Sequence, residues 1–151
     1  MPRRTTEAQP QQSLSRGVLD ELVGYHLRRA QVAVFRDFAT TMAGAAITPG
    51  QLGVLALIQA NPGLSQSTLG RAMGVDRSTV VAVIDRLERA GFVERQSSAT
   101  DRRSYALRLS GDGARRFADA LKRVRAHERR IARRLSAAER GKLMELLRRV
   151  G

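Results

Sequence analysis

The run from Asp76 to Gly91 constrains this chain more than any other, because both of its ends and one of its faces can be read directly from its residues. Asp76 is a helix N-cap whose carboxylate accepts from the amides of the first turn, and Gly91 suits a left-handed exit after the last one. Val80, Val83, Ile84 and Leu87 recur at helical spacing and so should face a core. The other face carries Arg77, Ser78 and Thr79 at its start and Arg86 and Arg89 towards its end. Two readings are open for this helix taken alone. It is either a solvated amphipathic helix or one whose polar, basic first turn reads a DNA groove.

Charge bears on that choice. The chain has 151 residues, the length of one domain with terminal extensions, and a net charge of +13 with a pI near 11.7. Such an excess implies a polyanionic partner, nucleic acid or a membrane surface. No apolar run approaches the roughly 20 residues needed to span a bilayer, and the N-terminus lacks a signal-peptide core, so the expected location is the cytoplasm, off the membrane. Cysteine is absent, and His26 and His127 are the only histidines, which excludes disulfides, thiol redox sensing and a Cys/His zinc site. No metal or other cofactor is expected. The excess is uneven: residues 1–100 carry 11 basic and 8 acidic side chains, residues 101–151 carry 16 and 6.

The surroundings of the Asp76 helix are those of a helix-turn-helix. Residues 1–15 are polar and read as a disordered tail. A long first helix is expected from about Arg16 to Met42, with Leu19, Leu22, Val23, Leu27, Ala30, Val34 and Phe38 as its apolar stripe. Thr48, Pro49 and Gln51 form an N-cap, a Pro at the first helical position and a capping-box partner, opening a helix buried by Leu52, Leu55, Leu57 and Ile58 and ended by Asn61-Pro62-Gly63. A short helix should run from Ser65 or Gln66 to Met73 with Leu69 and Ala72 inward. Gly74 then turns the chain and Val75 plugs the turn. Beyond Gly91 the periodicity becomes alternating: Phe92–Gln96 and Ser104–Leu109 read as strands, the second with Tyr105, Leu107 and Leu109 on one face. The segment between them ends in Asp101-Arg102-Arg103, a hairpin wing able to place a guanidinium in a narrow minor groove, with Asp101 orienting one arginine. The bland alternative is an exposed turn with incidental charges.

These residues together resemble the MarR (multiple antibiotic resistance regulator) family of winged helix-turn-helix repressors, over about residues 18–150. The likeness rests on Leu64-Ser65-Gln66, Asp76–Val80, Asp85–Arg95 and above all Asp101-Arg102-Arg103 followed by Leu107-Arg108-Leu109-Ser110. It implies a mainly α fold with a small β-hairpin, in which residues 47–113 form the winged helix-turn-helix and residues 16–46 and 114–151 a helical dimerisation region. It further implies a homodimer on a pseudo-palindromic operator in double-stranded DNA. The DNA-binding set is then Ser65, Gln66, Thr68, Arg77, Ser78, Thr79, Arg86, Asp101, Arg102 and Arg103, with Arg103 entering the minor groove. Val81-Ala82 depart from the pattern, since many members carry Ser or Thr followed by Arg there. Contact with thymine methyl groups is what these two could offer.

The last third supports a dimer independently. Phe117, Leu121, Val124, Ile131 and Leu135 step by 4, 3, 7 and 4, a heptad-like seam for a partner helix. Ser136 and Glu139 make a capping box for a final helix with Leu143, Leu146, Leu147 and Val150 apolar. The intervening arginines and lysines extend the electrostatic footprint, hold acidic ligand groups or are simply solvated. The resemblance also implies an effector pocket, and Gly24–Ala30 is similar to members that respond to aromatic acids or their coenzyme A thioesters. Tyr25, His26, Arg28 and Arg29 are the ligand-binding set on that reading; the alternative is that Tyr25 and His26 pack at a dimer interface while the two arginines are solvated. Catalysis is not expected, because the histidines lie on separate helices with no cysteine and no phosphate loop nearby. A sequence-indifferent basic architectural DNA-binding protein is the rival to a ligand-responsive regulator; it is favoured by the charge but not by the caps and the wing.

Overall fold

The computed structural model describes residues 14–45, 47–97 and 105–150. The tail residues 1–13 and the wing tip, with Asp101, Arg102 and Arg103, lie outside them. Among the described residues six α-helices and three strands follow in the order α1 (Val23–Met42), α2 (Pro49–Ala60), β1 (Leu64–Ser65), α3 (Gln66–Met73), α4 (Arg77–Arg89), β2 (Val93–Ser97), β3 (Tyr105–Leu109), α5 (Gly111–Ile131) and α6 (Ala137–Leu147). The chain divides into two compact units, Met1–Ala33 and Val34–Gly151.

In the first unit the single helix expected from Arg16 is broken. A 3-10 turn, Gly17–Glu21, is followed by Leu22 in extended conformation, and α1 starts at Val23. The break has a local cause. The ring Nε2 of His26 donates to the carbonyl of Asp20 at 2.8 Å, standing in for the amide four residues on that a continuous helix would supply. Val18, Leu19, Leu22 and Val23 are exposed.

The second unit holds the core. Phe38 and Met42 from α1, Leu55 and Ile58 from α2, Leu69 from α3, Val80, Ile84 and Leu87 from α4, and Leu107 and Phe117 are all buried. α2 opens with the expected capping box: the Gln51 amide donates to Thr48 Oγ1 at 3.2 Å and the Thr48 amide to Gln51 Oε1 at 2.9 Å. The sheet order is β1-β3-β2, antiparallel throughout, with Leu64 opposite Leu107 and Val93 opposite Leu109. β1 was not expected from the sequence, since two residues carry no alternation, and it exists because β3 offers them an edge. Inside α3 it is Gly70, not Ala72, that is buried. A Cβ on Gly70 would meet Val80 Cγ2 at 3.1 Å, so the missing side chain is what lets α3 and α4 approach. Val75 does not plug the turn but is 37% exposed.

α1 and α5 are tied by a polar cluster. His127, 2% exposed, lies with Nδ1 2.6 Å from Asp37 Oδ2, and Arg130 donates to both carboxylate oxygens at 3.2 and 2.8 Å and to Thr41. Donation by Arg130, then by His127, lowers the Asp37 pKa to about 2. The expected heptad seam divides. Phe117, Leu121 and Val124 pack into this chain's own core, while Ile131 and Leu135 remain 38% and 39% exposed, the latter beyond the end of α5. α6 buries none of its residues, leaving Leu143, Met144, Leu146 and Leu147 open.

Candidate nucleic-acid interface

α3 and α4 make a helix-turn-helix whose ends are closed by local chemistry. Ser65 caps α3 through the Thr68 amide at 3.2 Å, and Gly74, at φ 64°, ends it with Val75 N–H returning to the Gly70 carbonyl at 3.1 Å. Asp76 caps α4 through the Thr79 amide at 2.9 Å. At the other end Gly91, at φ 74°, lets Phe92 N–H reach the Leu87 carbonyl at 2.8 Å and its own N–H reach that of Glu88 at 2.9 Å, a Schellman closure.

The exit of α4 is then held by the first turns of α5. Ser110 N–H donates to the Phe92 carbonyl at 3.0 Å and Ser110 Oγ to that of Gly91 at 2.6 Å. Arg116 donates to the Ala90 carbonyl at 2.8 Å and lies 3.8 Å above the Phe92 ring. The orientation of α4 is thus set at both ends, by the α3 turn and by α5. Its flank is set by Arg95 of β2, which is 18% exposed and pairs with Asp85 at 2.5 Å and with Glu88. The Gln66 amide, with its oxygen turned to Arg95, accepts from Nε at 3.0 Å and Nη2 at 3.1 Å. One guanidinium therefore joins β2, α3 and α4.

Arg77, Ser78 and Thr79 are all exposed on the first turn of α4, as expected. Ser78, Ala82, Arg86 and Arg89 follow one another at steps of four, four and three along the outer face, so Arg86 stands about two turns beyond Ser78. Val81 is half-buried. Ser65 and Thr68 share a hydroxyl network, 2.9 Å apart, at the start of α3. Of the expected DNA-binding residues, Ser65, Gln66 and Arg77 line a concavity of about 520 Å³, together with Ser67, Gly70, Arg71, Val75 and Tyr105. The last five of these lie outside the DNA-binding set expected from the sequence. Strand alternation grouped Tyr105 with Leu107 and Leu109 on one face, yet at the first position of β3 it is 55% exposed while Leu107 is buried. A solvent-facing arginine in the last turn of a short helix, one turn after Thr68, was the available signal for Arg71.

Of the ligand-binding set, Tyr25 is half-buried and His26, Arg28 and Arg29 are exposed on α1. Tyr25 meets the His26 ring edge-on with centroids 5.6 Å apart, and the Arg29 guanidinium lies 5.6 Å from the Tyr25 ring. A separate apolar cavity of about 470 Å³ is lined by Phe35, Phe38, Ala39, Met42, Ala43, Ile47, Thr48 and Pro49. No helix among the described residues is long and apolar enough to cross a membrane. No cluster of potential metal ligands occurs among the described residues.

Comparison with known proteins adds to this geometry. Residues 47–104 match the model of the MarR family. A putative transcriptional regulatory protein for the hcr operon of Thauera aromatica is 46% identical over 129 residues, 85% of this chain and 78% of that protein. The transcriptional repressor CouR bound to a 23-mer DNA duplex superposes with a TM-score of 0.88 at 39% identity, covering 92% of this chain and 99% of that one. CouR bound to p-coumaroyl-CoA superposes with a TM-score of 0.80 at 39% identity, over 89% of this chain and 95% of that one.

Proposed function

This chain belongs to the MarR family, and on that premise we propose that it is a cytoplasmic, sequence-specific regulator that binds double-stranded DNA as a homodimer and releases it when an effector binds. The observation that carries the reading is the helix-turn-helix itself: a doubly capped α4, held at its exit by α5 and along its flank by Arg95, with its small polar first turn open to solvent. In this reading α4 enters the major groove with Arg77, Ser78 and Thr79 at base edges and Arg86 at the backbone. Ser65, Gln66 and Thr68 contact the adjoining strand from α3, and Ala82, exposed on the outer face, meets thymine methyl groups. Arg103 of the wing enters the minor groove, with Asp101 and Arg102 beside it.

Residues 47–113 form the DNA-binding part and residues 16–46 and 114–151 the dimerisation part. Exposed Val18, Leu19, Leu22 and Val23 in one unit, and Ile131, Leu135 and the apolar residues of α6 in the other, support this, since each is apolar surface without cover from its own unit. A symmetric dimer presents two copies of α4 to half-sites about one helical turn apart, so its operator is pseudo-palindromic. The effector is an aromatic acid as its coenzyme A thioester. CouR, 39% identical, has been solved with p-coumaroyl-CoA, and the 470 Å³ cavity between Phe35 and Pro49 has the size and apolar lining for an aromatic acyl group. Within the first unit, and apart from that cavity, Tyr25, His26, Arg28 and Arg29 are the candidates to bind an anionic effector group. Binding changes the separation of the two α4 helices, and repression ends.

Footprinting the DNA upstream of its gene, with and without p-coumaroyl-CoA, tests the reading. A protected pseudo-palindrome that survives scrambled competitor and is released by the thioester is expected. Equal affinity for scrambled duplex at fixed salt refutes it, because charge alone produces that result.

A further inference from the structure

Three donors converge on the Asp76 carboxylate: Thr79 N–H and Ser78 Oγ on Oδ1, at 2.9 and 2.5 Å, and Thr79 Oγ1 on Oδ2, at 2.8 Å. Donation from the Ser78 hydroxyl, then from the Thr79 amide and hydroxyl, holds this carboxyl well below the usual carboxylate range, so it is ionised at neutral pH. A carboxylate has no proton to give, and a serine or threonine hydroxyl has one. Each hydroxyl is therefore the donor in its bond to Asp76, and its proton points back into the protein. What Ser78 and Thr79 present to the solvent side of α4 is lone pairs.

We infer that Ser78 and Thr79 are acceptor-only readers that select bases offering an exocyclic amine in the major groove, adenine through N6 or cytosine through N4. The inference rests on the reading of α4 as the groove-entering helix. A hydroxyl is ordinarily ambivalent between bases, since it donates or accepts as the partner requires. Asp76 removes that freedom. Guanine O6 and N7 and thymine O4 are acceptors and find no proton here, and a phosphate oxygen finds none either. Both hydroxyls are thereby directed to bases and away from the backbone, and Arg77 is the donor among the three exposed residues of this turn.

Asp76→Asn separates polarity from architecture. Asn is an equally good N-cap, and its Oδ1 keeps the Thr79 amide, but an NH2 now stands where Oδ2 accepted from Thr79 Oγ1. That NH2 donates, so the Thr79 proton turns outward. The experiment is selection from a random duplex library by the full chain and by Asp76→Asn, Thr79→Val and Ser78→Ala, with the thermal midpoint of each recorded. The wild type should enrich adenine or cytosine at a half-site position that Thr79→Val levels, by roughly three- to tenfold for one hydrogen bond. Asp76→Asn should move that position away from cytosine towards guanine or thymine. Enrichment of guanine or thymine there by the wild type overturns the inference, and this comparison needs only Thr79→Val should Asp76→Asn fail to fold. A folded Asp76→Asn that excludes guanine and thymine at that position as strongly as the wild type does overturns it as well. A consensus untouched by Ser78→Ala and Thr79→Val also overturns it while leaving the regulator reading intact, whereas no consensus at all from the wild type defeats the regulator reading itself.

Discussion

Gly113→Ala and Gly53→Ala add the same methyl group to two helices of one unit, and their effects should have opposite signs. At Gly113, in the first turn of α5, an added Cβ would sit 2.0 Å from the Phe92 carbonyl oxygen and 2.6 Å from its carbon. Ordinary contact at about 3.5 Å requires the two backbones to part by about 1.5 Å. The Ser110 to Phe92 hydrogen bond, 3.0 Å long, cannot stretch that far, and the Ser110 Oγ to Gly91 bond shares its fate. Overpacking costs about 1–3 kcal/mol and two neutral hydrogen bonds about 1 kcal/mol each, against at most about 1 kcal/mol gained from the helix propensity of Ala. The net loss should be about 2–4 kcal/mol. At Gly53 the new Cβ meets only Met73 Cε at 3.7 Å, an ordinary contact, so Gly53→Ala should stabilise by about 0.5–1 kcal/mol. Urea unfolding of both variants and the wild type, at one protein concentration because association enters the apparent stability, measures the difference. A Gly113→Ala protein as stable as the wild type would show that α5 does not hold the exit of α4 as described.

Arg95→Met should lower stability by about 1–3 kcal/mol, since Asp85 and Glu88 lose a partly buried partner and Gln66 loses the donor that orients its amide; an unchanged urea midpoint would deny Arg95 its joining role. Arg103→Ala should weaken operator binding by about 1–3 kcal/mol and flatten the dependence of log K on log salt by about one phosphate contact, so titrations at several salt concentrations that coincide with the wild type contradict the wing reading. Asp37 titrates near 2 in the fold against an ordinary 3.8, because Arg130 and then His127 donate to its charged form. A depressed folded value means that its stabilisation is complete above pH 3.8 and fades as pH falls towards 2. The stability difference between the wild type and Asp37→Asn should therefore be constant above that range and shrink below it, and a difference undiminished at pH 2 would contradict the assignment.

What the residues determined unaided are features closed within one or two turns of chain. The caps at Thr48, Ser65, Asp76 and Ser136 bind amides three residues on, and the exits at Gly74 and Gly91 need only a backbone free to take positive φ. The buried stripe of Val80, Ile84 and Leu87 follows from helical period alone. For the same reason the polar turn Arg77-Ser78-Thr79 was legible as the exposed start of α4. Tertiary structure decided what depends on which surfaces meet. Gly70 is inward because Val80 of the next helix comes close, and Leu121 and Val124 belong to this chain's core because α5 lies against it, although their spacing suits a partner helix equally well. The pairing of His127 with Asp37 spans 90 residues, and Arg95 finds Asp85, Glu88 and Gln66 only once β2 lies beside α3 and α4. Local periodicity records that a side chain is apolar, basic or small. Only the packed chain supplies the opposing surface that makes it a core residue, a clamp or a gap.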